Sequence, residues 1–308
     1  MAFLLRPSLL STLTVSAAIQ TSAYLYSTVG RPVPTEHYYD LSGSLTHLAI
    51  VAQVLASSFA VSSTGLPPAR VAVLGVLSSV WAARLGTYLY DRVKRVGKDT
   101  RFDELKQDPI RWTAPWAFQT VWCAALQAPL TMAAASAFAA RPLSVLDAVA
   151  IGVFVAGFAI ETLADRQKNA YKTANPTGAM TSGAFAAAVY PNYFGECLLW
   201  WGAYALAAPV LVGTAAHATA LAAPLVTATL LFKVSGIPLL EKSAWTKYGS
   251  DPNYVAYRAR TNVFFPWFPR TSVSDADWER VRVAAAAVGV SIDVDAARKV
   301  ASSKPKAQ

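Results

Sequence analysis

The sequence predicts an all-α fold, a polytopic membrane helical bundle of about seven transmembrane helices. Three observations carry that prediction. Of 308 residues, 54% are hydrophobic and 15% charged, against about 25% charged in an ordinary soluble domain. The apolar residues arrive in long blocks rather than periodic stripes, and the charges keep to the connections between blocks. Such apolar content excludes disorder, and two cysteines, Cys123 and Cys197, exclude a disulfide scaffold.

A helix that crosses a bilayer needs about 20 mostly apolar residues. The blocks that qualify are 8–29, 41–62, 70–90, 115–138, 143–163, 194–212 and 215–235. The first is rich in Ser and Thr. The last two meet at a tight turn near Gly213 and read as a helical hairpin. Residues 1–270 are thus expected to form the membrane domain. Residues 271–308 form a polar tail with one short helix over Val281–Val290.

Charge placement orients the bundle. With the amino terminus outside, 23 of the 27 Lys and Arg fall on the inner side, and only Arg6, Arg70 and Arg141 fall outside. This positive-inside bias puts the carboxyl terminus in the cytosol. It also accounts for the net charge of +9 as membrane topology, so no nucleic-acid partner is expected. Residues 1–35 lack acids, which leaves a cleaved signal or mitochondrial transit peptide open. Lys304 and Lys306, near the end, resemble a dilysine retrieval signal of the endoplasmic reticulum.

Ionisable groups inside a span cost roughly 2.5–3.5 kcal/mol on insertion scales, which directs attention to Arg84, Glu161 and Glu196. Glu161, Asp165 and Lys168 follow at spacings of four and three, so a helix continuing past the fifth block places them on one face. Acidic groups accept hydrogen bonds from ribose hydroxyls, and Arg166, Lys168 and Lys172 neutralise phosphates. A solvated helix end accounts for the same pattern. Further on, Tyr190-Pro191-Asn192-Tyr193-Phe194-Gly195-Glu196 opens a helix at Pro191. It brings an amide and a carboxylate among aromatic rings, a lining suited to a flat heteroaromatic ligand.

Four stretches resemble the membrane-reductase superfamily of the steroid 5-alpha-reductase C-terminal domain type: Asp99-Thr100-Arg101-Phe102-Asp103, the Glu161/Asp165 helix end, Pro191-Asn192-Tyr193-Phe194-Gly195-Glu196, and Lys247-Tyr248-Gly249-Ser250-Asp251-Pro252-Asn253-Tyr254. The resemblance implies a seven-helix fold that binds NADPH from the cytosolic side. It implies reduction of an activated C=C bond of a steroid-, isoprenoid- or fatty-acyl-like lipid. It places Arg101, Glu161, Asp165, Lys168, Asn192, Tyr193 and Glu196 beside the cofactor, with Trp245 and Tyr248 in a segment that caps it. Val189 and Tyr190 stand where many relatives carry Arg-His, a departure that disfavours the related S-adenosylmethionine-dependent methyltransferases. The second block has His47 and Gln53 but lacks the Glu of steroid reductases.

Hydride addition to an enone puts negative charge on the carbonyl oxygen and requires a hydrogen-bond donor there and a proton source. Tyr88, Tyr90 and His47 are the candidates at membrane depth. No Rossmann glycine motif, Walker loop, metal-ligand spacing or nucleophile triad is found. The alternative is a catalytically inactive membrane protein that binds lipid or serves as a structural partner. The expected partners are a lipophilic small molecule and membrane lipid; oligomeric state is left open.

Overall fold

The computed structural model describes residues 7–62, 64–97, 99 and 102–303. Arg101, Lys304 and Lys306 lie outside the described residues. The chain is an all-α membrane bundle, and among the described residues the one extended pairing is an isolated bridge, Ala188 to Asn262. Four stretches are long and apolar enough to cross a membrane: Tyr39–Ala60, Ala69–Lys94, Val145–Ala174 and Gly213–Tyr248. The other three expected blocks are helical but more polar, shorter or interrupted. The fold divides into two compact units, one drawn from Met1–Phe154 and Trp200–Val226, the other from Val155–Leu199 and Thr227–Gln308.

In the first unit, α1 (Leu9–Thr28) starts at a Ser8 capping box closed by Ser11. Its Ser and Thr residues face inward: Ser11, Thr12, Ser16, Gln20 and Ser27 are buried, whereas Leu9, Leu10, Leu25 and Tyr26 are exposed. The polar face is paired, with Thr12 to Thr131 at 3.0 Å, Ser16 to the Thr120 carbonyl at 2.8 Å and Gln20 to Thr46 at 2.8 Å. Polar groups inside and apolar groups outside is the arrangement a lipid environment selects.

Helices α2 (Tyr39–Val61) and α3 (Ala69–Val96) approach closely at small residues. A Cβ on Gly75 would sit 3.1 Å from Leu55, and one on Gly86 would sit 2.7 Å from Ser44. The fourth block splits into α4 (Pro109–Leu126) and α5 (Ala128–Ala135) at buried Gln127. Pro129, near the start of α5, lacks the N–H needed to continue the first helix. Near the first turn of α6 (Val145–Ala174), Asp147 pairs with Arg70 through two bonds, 2.7 and 3.1 Å, with both side chains sealed from solvent. Ser144 donates to the same carboxylate through its backbone N–H and its hydroxyl.

The second unit holds the later part of α6, a four-residue helix α7 (Ala184–Ala187) and the start of α8 (Pro191–Ala207). Two short helices that belong mostly to the first unit, α9 (Gly213–Ala220) and α10 (Ala222–Thr229), lead back into the second through a π turn over Leu230–Val234. A break at Gly236 precedes α11 (Ile237–Tyr248). Next, α12 (Pro252–Arg260) begins at an Asp251 cap. The tail carries two helices where one was expected, α13 (Asp275–Ala286) and α14 (Val294–Ser302). They pack on α12 around Trp245, Tyr254, Trp278 and Val281, and Arg280 caps the end of α12 by donating to the Arg258 and Ala259 carbonyls.

Candidate functional site

The site begins where α6 outlasts its apolar stretch. Because the helix runs unbroken to Ala174, Glu161, Asp165, Lys168 and Lys172 recur on one face. Helix α8 meets that face at glycines. A Cβ on Gly195 would lie 2.5 Å from the Gly157 carbonyl oxygen and 2.6 Å from the Glu161 nitrogen, and one on Gly157 would lie 2.5 Å from the Leu199 nitrogen. Backbones at that separation bury Glu161 and Asp165. They also bring Asn192 to Asp165, where its amide donates to Oδ1 at 3.2 Å.

One turn further along α6 is a cavity of about 210 Å³, walled by Lys168, Lys172, Lys247 and a set of tyrosines, Tyr190, Tyr248, Tyr254 and Tyr257. Lys168 lies one turn beyond Asp165, and Tyr190 lies two residues before Asn192. The Lys172 ammonium donates to the Tyr248 hydroxyl and to the Gly178 carbonyl, each at 2.6 Å. Gly183, at φ +60°, makes the turn into α7, and Gln167 fixes it by accepting from the Ala184 N–H at 2.8 Å.

A buried hub stands behind the cavity. Glu241 accepts from the Tyr190 hydroxyl at 2.6 Å, from the Trp245 indole at 2.8 Å, and from Arg258 at 2.8 and 2.9 Å. Arg258 is 2% exposed and lies over the Trp245 ring, 4.8 Å from its centroid. Burial opposes the charge on Arg258, but Tyr254 and Glu241 outweigh it and hold its pKa above the ordinary value. Burial, reinforced by the Glu241 charge, pushes the Tyr190 phenol well up, so Tyr190 is a neutral donor.

The expected site residues separate accordingly. Glu161, Asp165 and Asn192 gather at the α6–α8 crossing, and Lys168 and Tyr248 line the cavity. Tyr193 stacks on Tyr190, ring centroids 5.8 Å apart, and Glu196 follows one helical turn after Asn192. Trp245 is fully buried in the unit's core; its indole holds Glu241, so it supports the cavity wall from behind. In the first unit, His47 is fully buried between Trp81 and Trp122, with centroids 5.1 and 5.0 Å away, and its Nδ1 meets the Gln127 amide at 3.2 Å. Tyr88 lies under the Arg84 guanidinium and Tyr90 under the Lys94 ammonium.

The Glu241–Arg258 hub went unread in the sequence, since the partners are 17 residues apart on separate helices. Among the described residues no three His, Cys, Asp or Glu side chains are placed to hold a metal ion. Both cysteines are free thiols.

Residues 36–261 match the model of a family described as "Protein of unknown function (DUF1295)". An uncharacterized protein of Schizosaccharomyces pombe is 28% identical over 229 residues, covering 64% of this chain. The chain spans about 63% of that relative's length. No solved structure matches.

Proposed function

The chain belongs to the family of unknown function DUF1295, and from that premise we propose that it is an integral membrane oxidoreductase that uses NADPH to reduce an activated C=C bond of a lipophilic substrate. The observation that carries the reading is a cavity lined by three lysines and four tyrosines, with the Asp165–Asn192 pair one turn along α6 from its Lys168 wall. Ammonium groups suit phosphate oxygens, phenol rings suit the face of a purine, and carboxylates suit ribose hydroxyls. At about 210 Å³ the cavity is smaller than the roughly 300–1,000 Å³ of a drug-sized site. It therefore takes only part of a dinucleotide, such as its phosphate-bearing ribose, rather than the whole. The resemblance of the Pro191–Glu196 stretch to steroid 5-alpha-reductases adds the choice of NADPH.

A nicotinamide dinucleotide anchored in that cavity by its phosphate-bearing portion would supply a hydride. The chain's own residues supply binding and proton chemistry. Lys168, Lys172 and Lys247 neutralise phosphate charge. Asn192, held by Asp165, presents its remaining amide capacity, and Tyr190 stays protonated. The candidate donors to a substrate carbonyl oxygen are Tyr88 and Tyr90, since a phenol can donate while remaining neutral. His47, enclosed by two indoles and bonded to Gln127, suits packing better than proton transfer.

The second reading is a lipid-binding protein without catalysis; it is favoured by an α2 that carries no Glu. A methyltransferase is disfavoured by Tyr190, whose hydroxyl is committed to Glu241. The proposed setting is the endoplasmic reticulum, with the carboxyl terminus in the cytosol. Asp165→Ala and Asn192→Ala test the site: both should lose NADPH binding while remaining folded and inserted. Wild-type affinity in both would overturn the assignment.

A further inference from the structure

Between α12 and α13 the chain reads Thr261-Asn262-Val263-Phe264-Phe265-Pro266-Trp267-Phe268-Pro269-Arg270. Three of its rings stand out of the protein: Phe265 is 69%, Trp267 70% and Phe268 84% exposed. Pro266 and Pro269 keep the segment from folding into a helix that would bury them. Nor is the loop slack. The Val189 N–H donates to the Asn262 carbonyl at 2.9 Å, Tyr190 to Val263 at 3.1 Å, Trp267 to Ala187 at 2.9 Å and Arg270 to Arg260 at 3.0 Å.

The root of the patch shows where it lies. The Phe264 ring is 4.6 Å from Phe232, in the π turn where the apolar run of the last span gives way to Lys233, and 5.5 Å from Phe194, in the first turn of α8. Phe265 also reaches Phe194, at 6.0 Å. Phe265 therefore continues, ring to ring, from the ends of two apolar segments of the membrane domain, and Trp267 and Phe268 follow two and three residues on, paired with each other at 6.3 Å. Residues 261–274 contain no acid and one base, Arg270, which is occupied by Asn262 and Asp277.

We infer that Phe265, Trp267 and Phe268 are an interfacial anchor. They insert into the boundary between headgroups and acyl chains of the bilayer and hold the second unit, with its lysine- and tyrosine-lined cavity, at that surface. Aromatic rings favour this depth, and exposed apolar patches of this kind mark a membrane or partner contact. Continuity of Phe265 with the apolar run of the last span selects the membrane, and with Arg270 already paired, insertion is independent of anionic lipid. The inference does not depend on what the cavity binds.

The test uses the full chain in phosphatidylcholine vesicles, with Cys123→Ala and Cys197→Ala as background. A nitroxide is attached at Phe265→Cys, Trp267→Cys, Phe268→Cys or, as a control on α13, Glu279→Cys. Collision with oxygen should exceed collision with a water-soluble nickel chelate at the three loop positions, and the reverse should hold at 279. Nickel access at 267 and 268 equal to that at 279 would overturn the anchor, as would exclusion of both reagents, the sign of a protein partner or a second copy. Insertion that requires phosphatidylserine would contradict its aromatic basis. In a minimally altered chain, Trp267→Phe should lose fluorescence that lipids brominated near the headgroup quench in the wild type. Unchanged quenching would overturn the proposal as well.

Discussion

Replacing Glu241 by Ala removes the acceptor for Arg258, Tyr190 and Trp245 together. Arg258 keeps its bond to the Tyr254 hydroxyl at 3.0 Å but stays 98% buried without a counter-charge. Removing one partner of a buried pair costs about 3–5 kcal/mol. A stranded indole or phenol donor costs about 1–3 kcal/mol, and the terms overlap rather than add. Because the Glu241 side chain is 18% exposed, water reaches the gap, and the lower end, about 3 kcal/mol, is expected. The assay is amide hydrogen exchange over peptides covering residues 237–260, since local opening free energies set those rates. At about 1.4 kcal/mol per tenfold, exchange should accelerate by roughly two orders of magnitude. Replacing both partners, as Glu241→Leu with Arg258→Met, should restore much of the protection, because an apolar pair leaves no stranded charge. Less than about a tenfold change in Glu241→Ala would refute the hub as what holds the cavity wall together.

Gly195→Ala should destabilise the protein by about 1–3 kcal/mol or more, because its Cβ meets the α6 backbone at Gly157 and Glu161. Gly152→Ala, with nothing within 4 Å, should be neutral or stabilising by up to about 1 kcal/mol. Equal unfolding of the two variants in detergent would discard the close α6–α8 crossing. Burial raises the pKa of Glu36, but the Lys106 ammonium at 2.6 Å and the Asp99 N–H at 3.1 Å outweigh it and hold the carboxyl below its ordinary 4.5. This contribution is therefore complete above pH 4.5 and is lost as the pH falls through the lower folded value. Stability of the loop before α2 should fall as the pH drops below about 4.5, and Lys106→Met should weaken that dependence. Identical pH profiles would contradict the pairing. A glycosylation acceptor fused to the carboxyl terminus should stay unmodified; its modification would reverse the proposed orientation.

The parts of the fold that follow from local chemistry were readable in the sequence. A helix continuing past the fifth block would put Glu161, Asp165 and Lys168 on one face, and α6 continues to Ala174. Pro191 suited a helix entry, and α8 begins there. The break at Gln127 was signalled only by Pro129, inside a block whose hydropathy is uninterrupted. The polar character of α1 obscured its place as a packed helix, because hydropathy does not record that its hydroxyls face α4, α5 and α2. The site divided in the same way. Charge spacing along one helix found its acids and Lys168, whereas the role of Gly195 depends on which helix lies against it. The Glu241–Arg258 pair depends on the turn from α11 into α12. Trp245, which the resemblance places in the segment that caps the cofactor, packs in the core and holds Glu241.

The measurement closest to the central claim is thermal unfolding of the detergent-purified chain with NADPH, NADH, S-adenosylmethionine or no ligand. At about 100 times its dissociation constant, a ligand stabilises a binding-competent fold by roughly 2.7 kcal/mol. The account predicts that stabilisation for NADPH and less for NADH, which lacks the 2′-phosphate the lysines would meet, with no effect from S-adenosylmethionine. Stabilisation by S-adenosylmethionine alone, or unfolding of well-folded protein that no nucleotide shifts, would contradict it.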